Sequence, residues 1–173
     1  MFIRNLTKNY SPEVQSINIP TRDDIDEKYK WNLKDIYIND EEWGKDLKWV
    51  EDNICGYGQF ENTLCSSAEN LLACLKFDEK MGIKLERLYL YSMLAKDSDM
   101  RDAKYQGMDD RIKSVYSKVL TVSSFIKPEI LKIDESKLIE MINSQSELEI
   151  YRHSFDDLLR FRKHTLDREQ EAL

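Results

Sequence analysis

Tyr105-Gln106-Gly107-Met108-Asp109-Asp110-Arg111-Ile112-Lys113-Ser114-Val115-Tyr116-Ser117-Lys118-Val119-Leu120-Thr121-Val122-Ser123-Ser124-Phe125-Ile126 is the stretch that decides the fold. Within it Tyr105, Met108, Ile112, Val115, Val119, Val122 and Ile126 recur at steps of three or four, so a helix places all seven on one face. Lys104, Asp109, Asp110, Arg111, Lys113, Ser114 and Lys118 fall between them and read as the solvated side. Pro128 is expected to stop the run.

Upstream, Ser66 with Glu69 has the spacing of a capping box, in which two side chains satisfy each other's backbone amides. The helix it opens runs to about Lys96 through Leu71, Leu75, Leu85, Leu88, Ser92 and Ala95. Gly82 lies inside it, a weakening of roughly 1 kcal/mol relative to Ala. Asp97-Ser98-Asp99 supplies the turn and cap. Two helices of about 28 residues, each ~40 Å long, joined by so short a link form an antiparallel hairpin.

Shorter helices flank that hairpin. Asn39 with Glu42 opens one that carries Trp43, Leu47, Val50 and Ile54 and ends at Gly56 and Gly58. Asp134 caps another with Leu138, Ile139 and Ile142, and a third begins near Ser146 with Leu148, Ile150, Tyr151, Phe155, Leu158 and Leu159. Residues 1–20, with Pro12 and Pro20 and no helical period, read as an irregular N-terminal arm. In residues 21–39, Tyr29, Trp31, Leu33, Ile36 and Tyr37 are too apolar to stay free and are expected to dock on the helices. Asp167 to Leu173 has the composition of a helix N-terminus, which suggests a piece of a longer chain. The fold class is therefore all-α: a long antiparallel helical hairpin with shorter flanking helices and an irregular N-terminal arm. Its expected divisions are 1–20, a helical lobe over 21–166, and the start of a further helix over 167–173.

Composition narrows the function classes. The 173 residues carry 26 Lys and Arg against 33 Asp and Glu, a net charge of −7, which argues against nucleic acid as a partner. No stretch approaches the ~20 apolar residues of a membrane span, nor is there a signal-peptide core at the N-terminus. Cys55, Cys65 and Cys74 are odd in number and lack C-x-x-C spacing, so they read as reduced thiols of a cytoplasmic protein, with Cys74 a small helix residue.

Residue chemistry points to no catalytic centre in this chain. H-E-x-x-H is absent, since the two histidines, His153 and His164, are followed by Ser154 and Thr165. His153 with Asp156 and Asp157 reads as a half-buried histidine bonded to a carboxylate or backbone group rather than a ligand set, and His164 as a loop brace. Asp23-Asp24 and Asp109-Asp110 are adjacent, so their side chains diverge and read as solvated. No phosphate-binding glycine loop or nucleophile elbow occurs. Leu85 to Tyr91, with Tyr89 and Tyr91, reads as core. Arg160, Arg162, Lys163 and Arg168 make a modest basic patch that is either solvated or meets an acidic surface of a longer chain. No catalytic, cofactor-binding or metal-binding residue is assigned.

A series of motifs nevertheless has a family character. Tyr29-Lys30-Trp31-Asn32-Leu33-Lys34-Asp35-Ile36-Tyr37, followed by the Trp43 helix, resembles the start of oligoendopeptidase F, a zinc metallopeptidase family related to thimet oligopeptidase. Ser67-Ala68-Glu69-Asn70-Leu71-Leu72, Leu85 to Ser92 and Ser124 to Leu131 continue the likeness in order. Tyr151-Arg152-His153, Asp156 to Arg160 and Lys163-His164-Thr165-Leu166 complete it over about residues 20–173. The resemblance implies a non-catalytic N-terminal helical lobe that helps to wall the substrate channel of an enzyme cleaving short peptides. It implies that zinc and the catalytic groups lie in a missing C-terminal portion, which would be this chain's partner, and that this chain alone is inactive. It further implies apolar surface left uncovered, through which the chain would self-associate. The alternative is a stand-alone, degenerate relative acting as a helical interaction module.

Overall fold

The computed structural model describes residues 20–162, apart from the side chains of Asp23, Phe161 and Arg162. They fall in two units, one ending at Lys30 and one beginning at Trp31. The expected N-terminal arm over residues 1–19, His164, the end of the basic patch and the helix start at 167–173 lie outside the described residues. In the first unit, residues 20–30 form two single-turn 3-10 helices, Arg22–Asp24 and Glu27–Tyr29. Thr21 caps the first of these reciprocally, its N–H and hydroxyl both donating to Asp24 Oδ2 at 2.8 and 2.7 Å.

All regular structure among the described residues of the second unit is helical. Six α-helices follow in order: α1 Asp40–Asn53, α2 Ala68–Ser98, α3 Ala103–Ser123, α4 Ile126–Lys132, α5 Glu135–Ser144 and α6 Arg152–Arg162. Helices α2 and α3 form the expected hairpin but differ in length, 31 residues against 21. The seam of α3 holds through Ile112, Val115 and Val119, which are buried, with Tyr105 and Met108 packed against the core. It does not reach its expected end: Val122 is exposed, and Ile126 is buried as the first residue of α4. Pro128 explains the break. In a continuous helix its ring would strike the carbonyl of Ser124, so α3 ends at Ser123. Pro128 then sits in the first turn of α4, where no N–H is needed.

Capping sets the other boundaries. Asn39 Oδ1 accepts the Glu42 N–H at 3.0 Å and opens α1, as its spacing predicts. The cap of α2 is Ser67 rather than Ser66: Ser67 Oγ accepts the Asn70 N–H at 3.2 Å, while Ser66 Oγ accepts from Asn70 Nδ2 at 2.9 Å. Helix α3 is capped by Asp102, whose carboxylate accepts the Lys104 N–H at 2.9 Å; Asp97-Ser98-Asp99 only closes α2. Gly56 and Gly58 do not end α1, which stops at Asn53, but lie in the 3-10 segment Ile54–Gln59 that follows it directly.

The core sits where α1, α2 and α3 meet. Trp43, Leu47 and Val50 of α1 bury against Leu85, Leu88 and Met81 of α2, each fully buried side chain stabilising the fold by roughly 1.5–3 kcal/mol. Trp43 Nε1 donates to the Leu88 carbonyl at 2.9 Å, which fixes the depth of α1 on α2. Tyr91 is core as expected, its hydroxyl donating to Asp40 Oδ1 at 2.7 Å. Within the second unit, the segment ahead of α1 packs only in part: Tyr37 is buried and Leu33 and Ile36 touch the core, whereas Trp31 is exposed. Ile139 and Ile150 are likewise exposed, because α5 buries Met141 instead and residues 146–151 form a 3-10 turn.

Candidate functional site

Between α2, α3, α4 and α6 lies an open cleft of about 770 Å³. Leu75, Asp78, Glu79, Gly82 and Leu85 form one wall, a stripe of α2 at steps of three, one, three and three. Tyr116, Val119 and Leu120 of α3 form the opposite wall, and Ile126 and Ile130 of α4 with Phe155 and Leu158 of α6 make an apolar floor.

Two carboxylates of α2 line the cleft, Asp78 half-buried and Glu79 exposed, each held by a tyrosine from another element, and Lys127 of α4 lines it as well. Tyr57 Oη donates to Asp78 Oδ1 at 2.6 Å, and Tyr151 Oη donates to Glu79 Oε2 at 2.8 Å. Burial, reinforced by these bonds to carboxylates, pushes the Tyr151 hydroxyl up to about 12 and that of Tyr57 higher still. Both phenols therefore remain donors at neutral pH, and they orient the carboxylates rather than compete with them. Neither Asp78 nor Glu79 forms an ion pair among the described residues. Asp157, also in the cleft, is paired with Arg160 at 2.5 Å and lies 3.3 Å from His153 Nε2.

The residues weighed from sequence do not converge on a centre. His153 is exposed at 84% rather than half-buried, and among the described residues it pairs with Asp157. Asp156 is exposed, and among the described residues no group of three or more His, Cys, Asp and Glu is placed to hold a metal. Cys74 is buried, and burial pushes its thiol up to about 12, so it is an inert packing residue; Cys65 is half-buried and Cys55 exposed. Asp109-Asp110 is only half solvated: Asp110 is exposed, but Asp109 is buried and meets Lys96 and Lys113. The cleft itself escaped the sequence reading. Its one legible signal is Asp78 in an otherwise apolar stripe with Leu75, Gly82 and Leu85.

Comparison with known proteins decides the family. The family model described as Oligopeptidase F matches residues 129–173. Oligopeptidase PepF of Bacillus subtilis is 31% identical over 161 residues, 93% of this chain but 24% of the relative. The chain belongs to the oligoendopeptidase F family. It corresponds to the N-terminal domain of these peptidases and spans about a quarter of the length of the curated relatives it matches. Group B oligopeptidase PepB of Streptococcus agalactiae is 28% identical over 152 residues, 88% of this chain and 25% of the relative. Among solved structures, oligoendopeptidase-F from Enterococcus faecium superposes with a TM-score of 0.68 at 27% identity, covering 76% of this chain and 25% of that one. A putative peptidase from Chlamydophila abortus reaches 0.77 at 21% identity over 89% of this chain and 26% of its own, a likeness of fold alone.

Proposed function

We propose that this chain is the non-catalytic N-terminal helical lobe of a cytoplasmic oligoendopeptidase F-like zinc metallopeptidase, and that it helps to wall a channel admitting short peptides. The observation that carries the reading is 31% identity across nearly the whole chain to a peptidase about four times as long. The chain's own residues do not fit the zinc. His153 is solvated with a single carboxylate beside it among the described residues, the only other histidine in the sequence is His164, and no H-E-x-x-H occurs. The metal and its chemistry are therefore assigned to a C-terminal portion, this lobe's partner in the same polypeptide. None of the described helices is long and apolar enough to cross a membrane.

Reading the source gene beyond codon 173 tests the proposal. A frame that continues into H-E-x-x-H supports it; a stop codon there overturns it in favour of a stand-alone helical interaction module. The same proposal expects apolar side chains that the remainder covers, and Ile83, Tyr116 and Leu120 are exposed in this way. Light scattering of the isolated chain should show a mass that rises with concentration, and a strict monomer would count against the expectation.

A further inference from the structure

We propose that the cleft between α2, α3, α4 and α6 is the seat of the C-terminal portion of the same polypeptide, so that in the whole protein it is closed to solvent and is not a wall of the peptide channel. The proposal rests on the reading of this chain as a lobe of a longer peptidase, and it names the face through which the lobe meets the remainder.

Connectivity singles out the occupant. Phe155 and Leu158 of α6 make part of the floor, and α6 is the last helix among the described residues. Arg162, where α6 ends, lies one turn past Leu158, about 6 Å along the axis, so the chain passes on from the edge of the cleft. The lobe corresponds to the N-terminal domain of peptidases about four times its length, which puts most of the missing polypeptide after α6. Tethered at that edge, the remainder meets the cleft at a high effective concentration that no free ligand shares.

The surface of the cleft has the make-up of an interface between parts of one protein. Tyr116 is 39% and Leu120 57% exposed on the α3 rim, one turn apart, and both border the same cleft as the apolar floor of Ile126, Ile130, Phe155 and Leu158. Contiguous apolar surface of this kind marks a place that another surface covers. Around it the polar groups carry both signs: Asp78 half-buried, Glu79 and Lys127 exposed, and Asp157 paired with Arg160. An apolar centre with a polar rim of mixed charge suits a protein surface, whereas a charged small ligand would call for one sign. The hydroxyls of Tyr57 and Tyr151 already hold Asp78 and Glu79, so this part of the rim is ordered before anything docks.

The test is hydroxyl-radical footprinting of Tyr116 and Leu120, read by mass spectrometry, in the full-length gene product and in the dilute 173-residue chain. Both residues should be modified several-fold more slowly in the full-length protein, with no peptide added. Equal reactivity in the two proteins would overturn the proposal. So would protection that appears only when a short peptide is added, which would place the cleft in the channel, or protection that grows with protein concentration, which would assign it to a second copy. Leu120→Lys gives an independent readout: it should leave the Tm of the 173-residue chain unchanged and lower that of the full-length protein, and an equal change in both would overturn the proposal. Cleavage assays keep the two readings apart. A full-length protein that cleaves peptides while Tyr116 and Leu120 stay reactive overturns the cleft proposal alone. One that protects both residues yet cleaves nothing sustains the cleft proposal and overturns the peptidase reading.

Discussion

Asp109 and Lys96 face each other across the α2–α3 hairpin, with Asp109 Oδ2 accepting from Lys96 Nζ at 2.6 Å while the carboxylate is only 2% exposed. Lys113 donates to the same oxygen at 2.7 Å, and Oδ1 is buried without a partner among the described residues. Burial alone would raise the pKa of Asp109, but the bonds from Lys113 and Lys96 outweigh it and hold the group below the ordinary carboxylate range. The two lysines keep their own contact with water, so the cost of dehydration falls mainly on Asp109.

That arrangement gives a stability prediction with a sign. Asp109→Asn removes the charge that both lysines answer and should destabilise the chain by about 1–3 kcal/mol in urea titration at neutral pH. Because the folded pKa lies below the unfolded one, the contribution is full above the unfolded value of roughly 3.9 and fades as the pH falls through it toward the folded value. Asp109→Asn and the parent chain should therefore converge in stability on acidification. A difference that stayed constant to low pH would assign the effect to packing.

Gly56 and Gly82 should respond oppositely to alanine. A Cβ on Gly56 would lie 2.9 Å from Phe77 Cζ, and that ring is wedged against Tyr57 and Phe60 with centroids 4.9 and 5.6 Å away. Gly56→Ala should cost about 1–3 kcal/mol by overpacking, and Phe77→Leu in the same chain should recover part of it. Gly44, Gly82 and Gly107 are mid-helix with open space around a built Cβ, so alanine at each should stabilise by roughly 0.5–1 kcal/mol, seen as a higher Tm.

Glu129 has a structural task that thermal melts can isolate. Buried in α4, it accepts the Asn62 N–H at 2.6 Å and the Leu64 N–H at 3.4 Å, holding a loop in which Asn62 has φ 62°. Glu129→Ala strands both amides and should cost about 1–3 kcal/mol. Glu129→Gln keeps one acceptor and should cost less; an equal loss from both variants would locate the effect in charge rather than in satisfying the amides.

The hairpin was legible because the α3 seam repeats every three or four residues through Val119 and Asn39 sits at its cap distance from Glu42. Local pattern stops being informative where a distant constraint acts. Pro128 ends α3 at Ser123 by a clash one turn upstream, so Val122 loses its place in the seam. Asp109 was misread as solvated because charge beside a seam usually is; its spacing of four from Tyr105 and three from Ile112 puts it on the seam, and Lys113 one turn on supplies its counterion. Beyond the place of Asp78 in an apolar stripe the cleft was not legible, since Asp78 and Glu79 meet Tyr57 and Tyr151, 21 and 72 residues away in the chain, only in the fold.

The central claim is that catalysis requires a portion of the enzyme beyond this lobe. It is tested most directly by incubating the purified 173-residue chain and the full-length gene product, each with zinc, with a quenched fluorescent peptide. Cleavage by the full-length protein that a chelator abolishes, with none by the lobe, is the expected result. Chelator-sensitive cleavage by the lobe itself would contradict the account.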